Sequence, residues 1–368
     1  DGASQGNGVC KMTHAALPQG WIDRPIGKVV KITTGSRDTK DRETHGPFPF
    51  FVRSQTVERI SSVGFDGEGV LTAGDGVGTG KIFHYIDGKC DFHLRVYLMH
   101  AFDYGLSGKY FFHFFSTFFY NRIMSMTAKS SVDSVRREMI ADMLIRFPED
   151  PEEQHRIVTA LSDADGVVVG LERLIENKQG AMQDLLTAKR RLPGFTGEWV
   201  KRKLGEVLTV RHGRSQKGVE SPNGAYPILA TGGQIGFSNA FLWDKPSVLI
   251  GRKGTIDRPQ FMDTPFWTVD TLFYTDIKKL NDARFLFGVF QLIDWASYNE
   301  ASGVPSLNAS TIEAIEVQIP GHDEQQAIAE VFEDMDAEIT ALETRLQKAR
   351  AIKEGMMQNL LTGRIRLI

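Results

Sequence analysis

Two cysteines among 368 residues, Cys10 and Cys90, are too few for a disulfide framework, and their scarcity suits a reducing cytoplasm. Long apolar runs are missing as well. The most apolar stretch, Tyr110–Phe119 (YFFHFFSTFF), is shorter than the ~18–20 residues a membrane helix needs, and it carries a histidine. No charged-then-apolar signal segment opens the chain. Residues 1–16, beginning DGASQGNGVCK, read as a flexible leader outside the fold. Nor is there a charge excess of one sign: 43 Lys and Arg stand against 46 Asp and Glu, a net charge of −3. That balance argues against a strongly basic nucleic-acid binder, although a neutral chain still presents local positive faces.

Catalytic patterns are equally scarce. GDGVGTGK (Gly74–Lys81) resembles a phosphate loop, but Asp75 stands where that motif needs its first glycine and Ile82 where it needs Ser or Thr. The dinucleotide pattern fails at Thr79. A glycine-rich turn between strands explains the stretch better, with Lys81 at a basic end able to approach a DNA phosphate. Cys90 and His93 share a short spacing, but no second pair completes a zinc site. Neither H-E-x-x-H nor G-x-S-x-G occurs. DTPFW (Asp263–Trp267) lacks the first proline of the amino-methyltransferase motif, and no glycine-rich cofactor loop stands upstream. The nine histidines are scattered, five of them in residues 17–148. The expectation is a chain that binds rather than reacts, with no metal and no cofactor of its own.

What the chain does have is a doubled plan. MQDLLTAKRRL (Met182–Leu192) returns as MQNLLTGRIRL (Met357–Leu367), identical at seven of eleven places. At an offset of 178, Trp21 falls on Trp199, Gly27 on Gly205, Gly35 on Gly213, Pro49 on Pro227, Leu71 on Leu249 and Gly76 on Gly254. At offsets of 171–172, Ser134 meets Ser306, Pro148 meets Pro320, and EEQ (Glu152–Gln154) meets DEQ (Asp323–Gln325). Each repeat is domain-sized, too long for a solenoid unit. Charge follows the same plan. Residues 149–192 and 321–368 each hold 6 basic and 9 acidic residues, whereas 17–148 holds 17 against 14 and 193–320 holds 13 against 13.

The two acidic blocks read as helices. Ile157, Leu161, Ala164, Val168, Leu171, Ile175, Lys178, Met182 and Leu185 alternate steps of four and three, a heptad seam broken only by Lys178. The second copy runs Ile328, Phe332, Met335, Ile339, Leu342, Leu346 and Ala349, then is expected to shift phase to Ile352, Met356 and Leu360 through a four-residue stutter. Acidic clusters follow a proline at both starts, as the positive end of a helix prefers, and Gly363 suits the second stop. One such helix alone is equally consistent with a surface helix docked on its own domain. Two matched seams favour an antiparallel pair within the chain, with Leu161, Val168, Leu171, Ile175, Phe332, Ile339, Leu342 and Leu346 at its interface.

The larger segments read as mixed α/β. Strand-like runs occur at Phe48–Val57, Tyr226–Gly233, Ser247–Gly254 and Thr271–Asp276, and apolar helices at Gly108–Ile123 and Ala283–Trp295. Basic and hydrogen-bonding residues cluster beside glycines: Arg37 and Lys40 in TTGSRDTKDR, Arg53, Ser54 and Gln55 in VRSQT, Arg211, Arg214, Gln216 and Lys217 in RHGRSQKG, and Arg252, Lys253 and Thr255 in IGRKGT. Taken singly these are ordinary solvated loops. As clusters they are candidate DNA contacts, since Arg matches a guanine edge, Gln an adenine edge, and Lys, Ser and Thr suit phosphates.

Two variable α/β segments, each followed by a near-identical helix, resemble the specificity subunits of type I restriction–modification systems. The likeness rests on Trp21 with Ile26–Gly27, Trp199 with Leu204–Gly205, the helix starts after Pro148 and Pro320, the run SLNASTIEAIEVQIP (Ser306–Pro320), and the LLT helix ends at Leu185–Thr187 and Leu360–Thr362. It covers the chain from about residue 17 onward. The resemblance implies an α+β pseudo-two-fold architecture: target recognition domains at 17–148 and 193–320, separated by antiparallel helices at 149–192 and 321–368. It further implies a non-catalytic subunit that reads a split double-stranded DNA target, docks two methyltransferase subunits carrying S-adenosylmethionine, and takes restriction subunits in some assemblies. Divergence between the two segments implies different half-sites. The helix of residues 157–185, 29 residues and roughly 43 Å long at ~1.5 Å per residue, suits half-sites about one duplex turn apart. A piece of a single-chain restriction–methylation enzyme and a coiled-coil scaffold without DNA function stay open as alternatives.

Overall fold

The computed structural model describes residues 17–126 and 134–368; the expected leader, residues 1–16, lies outside them. The chain divides into two units, one comprising residues up to Gly170 with Gln347–Ile368, the other Leu171–Leu346. Each unit therefore contains part of both long helices, Pro151–Leu186 and His322–Leu360.

In the first unit, six strands form one sheet in the order Lys31–Thr34, Val96–His100, Phe65–Ala73, Phe83–Phe92, Phe48–Phe51, Glu58–Ile60. All neighbours are antiparallel except Phe48–Phe51, which runs parallel to the end of Phe83–Phe92. The helix Gly108–Ser125 begins where Ser107 Oγ accepts the Tyr110 N–H, and its Phe111, Phe114, Phe115 and Phe119 are fully buried in one core with Val70 and Met99 of the sheet. Trp21–Pro25 pairs antiparallel with Leu144–Pro148, and it is Leu144–Pro148 that leads directly into the first long helix. That helix starts at a proline, with the Asp150 carboxylate accepting the Glu152 N–H.

The second unit repeats the plan with shorter strands. Leu208–His212, Leu272–Ile277, Ser247–Gly251 and Gln260–Met262 form one antiparallel sheet, and Gly233–Ser238, Tyr226–Ala230 and Trp267–Thr268 form a second, mixed sheet. The parallel pairing recurs, Ile228 and Leu229 facing Trp267 and Thr268 as Phe50 and Phe51 face Asp91 and Phe92. Val200–Lys203 pairs with Glu316–Ile319 as Trp21–Pro25 does with Leu144–Pro148. The helix expected over Ala283–Trp295 stops at Leu292, and a short 3-10 turn, Trp295–Tyr298, follows.

The helices pair antiparallel inside each unit. Lys353 reaches Asp165 in the first, and Lys178 reaches Glu338 in the second. Seven of the eight expected interface residues are buried, and Val168 is half-buried. The expected phase shift is overturned: Ile352 is 63% exposed. From Ala349 the seam continues instead through Lys353, Met356 and Leu360, keeping steps of four and three. Each helix thus carries one lysine in its seam, tolerated because an acidic side chain opposite neutralises it.

The repeated endings have a physical reason. Glu153 and Glu324, near the two helix starts, are buried carboxylates, and each must be paired. Arg366 grips Glu153 through Nε and Nη2 at 2.6 and 2.7 Å. Arg191 grips Glu324 through the same atoms at the same distances. The two arginines hold the same position in the repeated motif, and their guanidiniums lie 5.9 and 5.8 Å from the ring centroids of Trp21 and Trp199. The neighbouring glutamines are doubled too. Gln154 donates to Pro148 O and accepts the Ser107 N–H, while Gln325 donates to Pro320 O and accepts the Asp282 N–H. At the turn after each helix, Gly363 has φ +71° and its counterpart Ala188 has φ +57°.

Replacing Arg366 by alanine strands the Glu153 carboxylate in the first unit, and Arg191→Ala strands Glu324 in the second. Each variant is expected to lose amide-exchange protection in its own unit while the other unit keeps it, measured by hydrogen exchange with mass spectrometry. Equal loss in both units would contradict this assignment.

Mild acid is expected to affect the units unequally. Burial holds His84, His93, His100 and His113, all in the first unit, below the ordinary imidazole value. Below about pH 6.5 the unfolded chain therefore binds more protons than the folded one, so stability falls as pH falls. Amide protection in the first unit should drop between about pH 7 and 5 before that of the second. Parallel decline of both units would count against it.

Candidate nucleic-acid interface

In the first unit three loops are stitched by main-chain hydrogen bonds to the turn His93–Leu94–Arg95. The Leu94 N–H donates to Arg37 O at 2.8 Å, the His93 N–H to Phe51 O at 2.9 Å, and the Gly74 N–H to Arg95 O at 2.8 Å. Gly35 makes the first of these approaches possible, since a Cβ there would sit 1.9 Å from Phe92 O. Side chains then gather on this frame. Asp91 is buried and accepts from Arg37 Nε (3.2 Å), Ser62 Oγ (2.7 Å) and the Phe92 N–H (2.9 Å). Asp75 accepts Arg53 Nη1 on one oxygen at 2.9 Å and Arg95 Nη1 on the other at 2.5 Å. Partial burial works to raise the Asp75 carboxyl, but the hydrogen bonds and charge of the two arginines outweigh it and hold the group below the usual carboxylate range.

His93 is buried beneath this cluster, with its Nδ1 accepting the Arg95 N–H at 3.0 Å. Burial lowers its pKa, and the Arg53 charge acts in the same direction. His84 Nε2 donates to Ser54 O at 3.0 Å, and its ring lies 5.0 Å from that of Phe51. Arg37, Arg53 and Ser54 are thus brought together, with Gln55 exposed next to them in the chain. Lys40 is exposed in a 3-10 turn capped by Asp38. Lys81 is set apart from the arginines in support: its ammonium lies 5.0 Å from the Tyr120 ring centroid.

The second unit keeps two of these stitches and replaces the third by a bond of opposite direction, from the loop N–H to the turn segment. The Arg214 N–H donates to Thr268 O at 2.8 Å, the Val269 N–H to Leu229 O at 3.1 Å, and the Arg252 N–H to Thr271 O at 2.8 Å. A Cβ on Gly213 would lie 1.9 Å from Val269 O, the same obstruction as at Gly35. Gly76 and Gly254 both have φ +92°, and the residues before them, Asp75 and Lys253, bridge Ser134 and Ser306 respectively. Arg211 lies in strand Leu208–His212 rather than in a loop, paired with Asp276 at 3.1 Å. Arg252 donates Nη1 to Asp270 O at 3.3 Å, and Arg214 O accepts Trp267 Nε1 at 3.0 Å. Burial raises the Tyr274 hydroxyl, opposed by the nearby Arg211 and Arg214. Gln216 and Lys217 lie in the loop that continues from Arg214, and the Thr255 carbonyl packs against Gly251.

Sequence reasoning missed Asp75, Asp91, Arg95 and Asp276. Arg95 stands alone in an apolar run, outside any basic cluster. A signal for Asp75 did exist, because it precedes Gly76 as Lys253 precedes Gly254.

Among the described residues, no group of three or more His, Cys, Asp or Glu side chains is placed to hold a metal ion, and no helix is long and apolar enough to cross a membrane. The arrangement offers two arrays of guanidinium, ammonium, amide and hydroxyl donors on matched loop frames.

Known proteins share this plan. The family model described as type I restriction modification DNA specificity domain matches twice, at residues 18–178 and 196–351. The specificity subunit of the type I restriction enzyme EcoDI from Escherichia coli is 21% identical, over 96% of this chain and 90% of its own length. Among solved structures, the S subunit of a type I restriction–modification system from M. genitalium superposes with a TM-score of 0.67 at 15% identity, covering 96% of this chain and 98% of that one. A chain from work on complex assembly and conformational transition of the type I R-M system gives 0.50 at 15% identity, covering 95% and 100%. With both halves matched by the same model, the chain belongs to the type I restriction–modification DNA specificity family.

Proposed function

We propose that the chain is the non-catalytic subunit that selects the DNA target of a type I restriction–modification enzyme, segments 17–148 and 193–320 each reading one half of a bipartite duplex sequence. The observation that carries this reading is one loop frame used twice with different side chains. The close backbone approaches at Gly35 and Gly213 and the turns at Gly76 and Gly254 recur, while Asp75 is exchanged for Lys253. A shared frame with exchanged donors and acceptors suits two different half-sites. Arg37, Arg53, Arg211, Arg214 and Arg252 are the candidates for base edges, with Gln55 and Gln216 suited to adenine. Lys40, Lys81, Lys217, Lys253, Ser54 and Thr255 suit phosphates.

On this reading the helix ends Leu185–Thr187 and Leu360–Thr362 offer two equivalent docking places, and two-fold related places suit two copies of one partner. That partner is the methyltransferase subunit, which brings S-adenosylmethionine. Restriction subunits are a further partner class, and the work is done on cytoplasmic DNA.

The mass of a complex reconstituted at saturating methyltransferase is expected to correspond to two methyltransferase subunits per chain. The chain alone, given S-adenosylmethionine, is expected to transfer no methyl group. A stable one-to-one complex, or methylation by the chain alone, would contradict the reading.

Replacing Arg211, Arg214 and Arg252 together by alanine is expected to weaken the assembled enzyme's preference for one half-site, by ~1–3 kcal/mol for each base-reading arginine. Sequencing of methylated genomic positions checks this. Full retention of specific methylation would remove these residues from the second interface.

A further inference from the structure

We infer that Asp75 is a positioning residue that holds Arg53 and Arg95 as a two-arginine fork for guanine edges, and that the second unit reads a chemically different step at the corresponding place. This rests on the DNA-recognition reading above and names the chemistry of one half-site.

The geometry carries it. Asp75 spends one carboxylate oxygen on each arginine, and each arginine spends only Nη1 in return. A guanidinium has five N–H donors, so four remain on each side chain, and among the described residues none of these is paired within the protein. The carboxylate is well covered, 14% exposed, while the Arg53 and Arg95 side chains are 41% and 61% exposed. The anchor is therefore within the fold and the donors face outward. Two positive charges stand over one negative charge, which leaves the fork attractive to DNA. Guanine presents two acceptors, O6 and N7, at the spacing that paired guanidinium N–H groups match. An arginine already held in place gives up less rotamer freedom when it makes that contact.

The turn is also rigid where it needs to be. The Arg95 N–H donates to the buried His93 ring, the Arg95 carbonyl accepts the Gly74 N–H, and Asp75 follows Gly74 directly. In the second unit the main-chain correspondences set Lys253 at the place of Asp75, Thr271 at that of Arg95, and Thr231 at that of Arg53. Thr231 Oγ1 lies 3.7 Å from where a Cβ on Gly254 would be, so these residues also adjoin one another. One ammonium and two hydroxyls cannot form a paired-donor fork. The matched place in the second half-site is therefore read without one.

The test uses the full chain assembled with its methyltransferase subunits and a pool of duplexes randomised through the binding region, with bound sequences read out. Wild type is expected to select guanine at one or two positions of one half-site. Asp75→Ala, and Asp75→Asn as the same-shape variant, should lose about ten- to a hundredfold of that guanine preference, the worth of a good bidentate contact. The other half-site should be unchanged, and affinity for a scrambled duplex should hold or rise, because a negative charge has been removed. A simple loss of structure would instead lower binding to every sequence. If Asp75→Ala does not assemble, Arg53→Lys and Arg95→Lys carry the test, since they keep a charge opposite Asp75 but lose the fork. An unchanged preference in the Asp75 and lysine variants, or a loss spread evenly over both half-sites, overturns the proposal alone. A wild-type complex with no sequence preference overturns the recognition reading and this proposal with it.

Discussion

A buried carboxylate at the start of one long helix, gripped by an arginine beyond the end of the other, is the constraint on which this molecule depends. Glu153 and Glu324 are almost wholly removed from solvent, and a carboxylate in that position must be matched by charge and hydrogen bonds. Arg366 and Arg191 supply both in a bidentate grip, with a tryptophan ring beside each guanidinium. The first unit is thus completed by the tail of the second helix, and the second unit by the tail of the first. A chain built this way has to write its ending twice.

That closure also explains the tolerance of the helical seam. Lys178 and Lys353 interrupt an otherwise apolar stripe, yet each finds an acidic partner on the opposing helix. Apolar burial supplies the general attraction, with Leu161 fully covered and Leu171, Leu342 and Leu346 nearly so. The charged positions add direction and register, because only an antiparallel order brings Asp165 to Lys353 and Glu338 to Lys178.

The loops obey a different economy. Their backbone is held by hydrogen bonds between main-chain atoms and by glycines that no larger residue can replace at Gly35 and Gly213. Side chains on such a frame are free to change without unfolding it. This is why Asp75 can give way to Lys253, and Arg95 to Thr271, while the turns beneath them keep the same conformation. With that separation, the exposed side chains change without rebuilding the domain beneath them.

The amino-acid sequence by itself determined the doubling, the two helices, their antiparallel pairing and the family resemblance. Heptad spacing and repeated tryptophans and glycines are local signals, readable without coordinates. The helix Gly108–Ser125 was legible for the same reason, as an aromatic run of helical length. The course of the seam past Ala349 was not legible, because apolarity pointed to Ile352 where the fold uses a neutralised lysine. Only the tertiary structure decided that Arg191 and Arg366 serve buried glutamates across 133 and 213 residues. It alone gathered Arg53, Asp75 and Arg95 from three separate loops. Such pairings depend on which loops the sheet order brings together, and no spacing along the chain encodes that proximity.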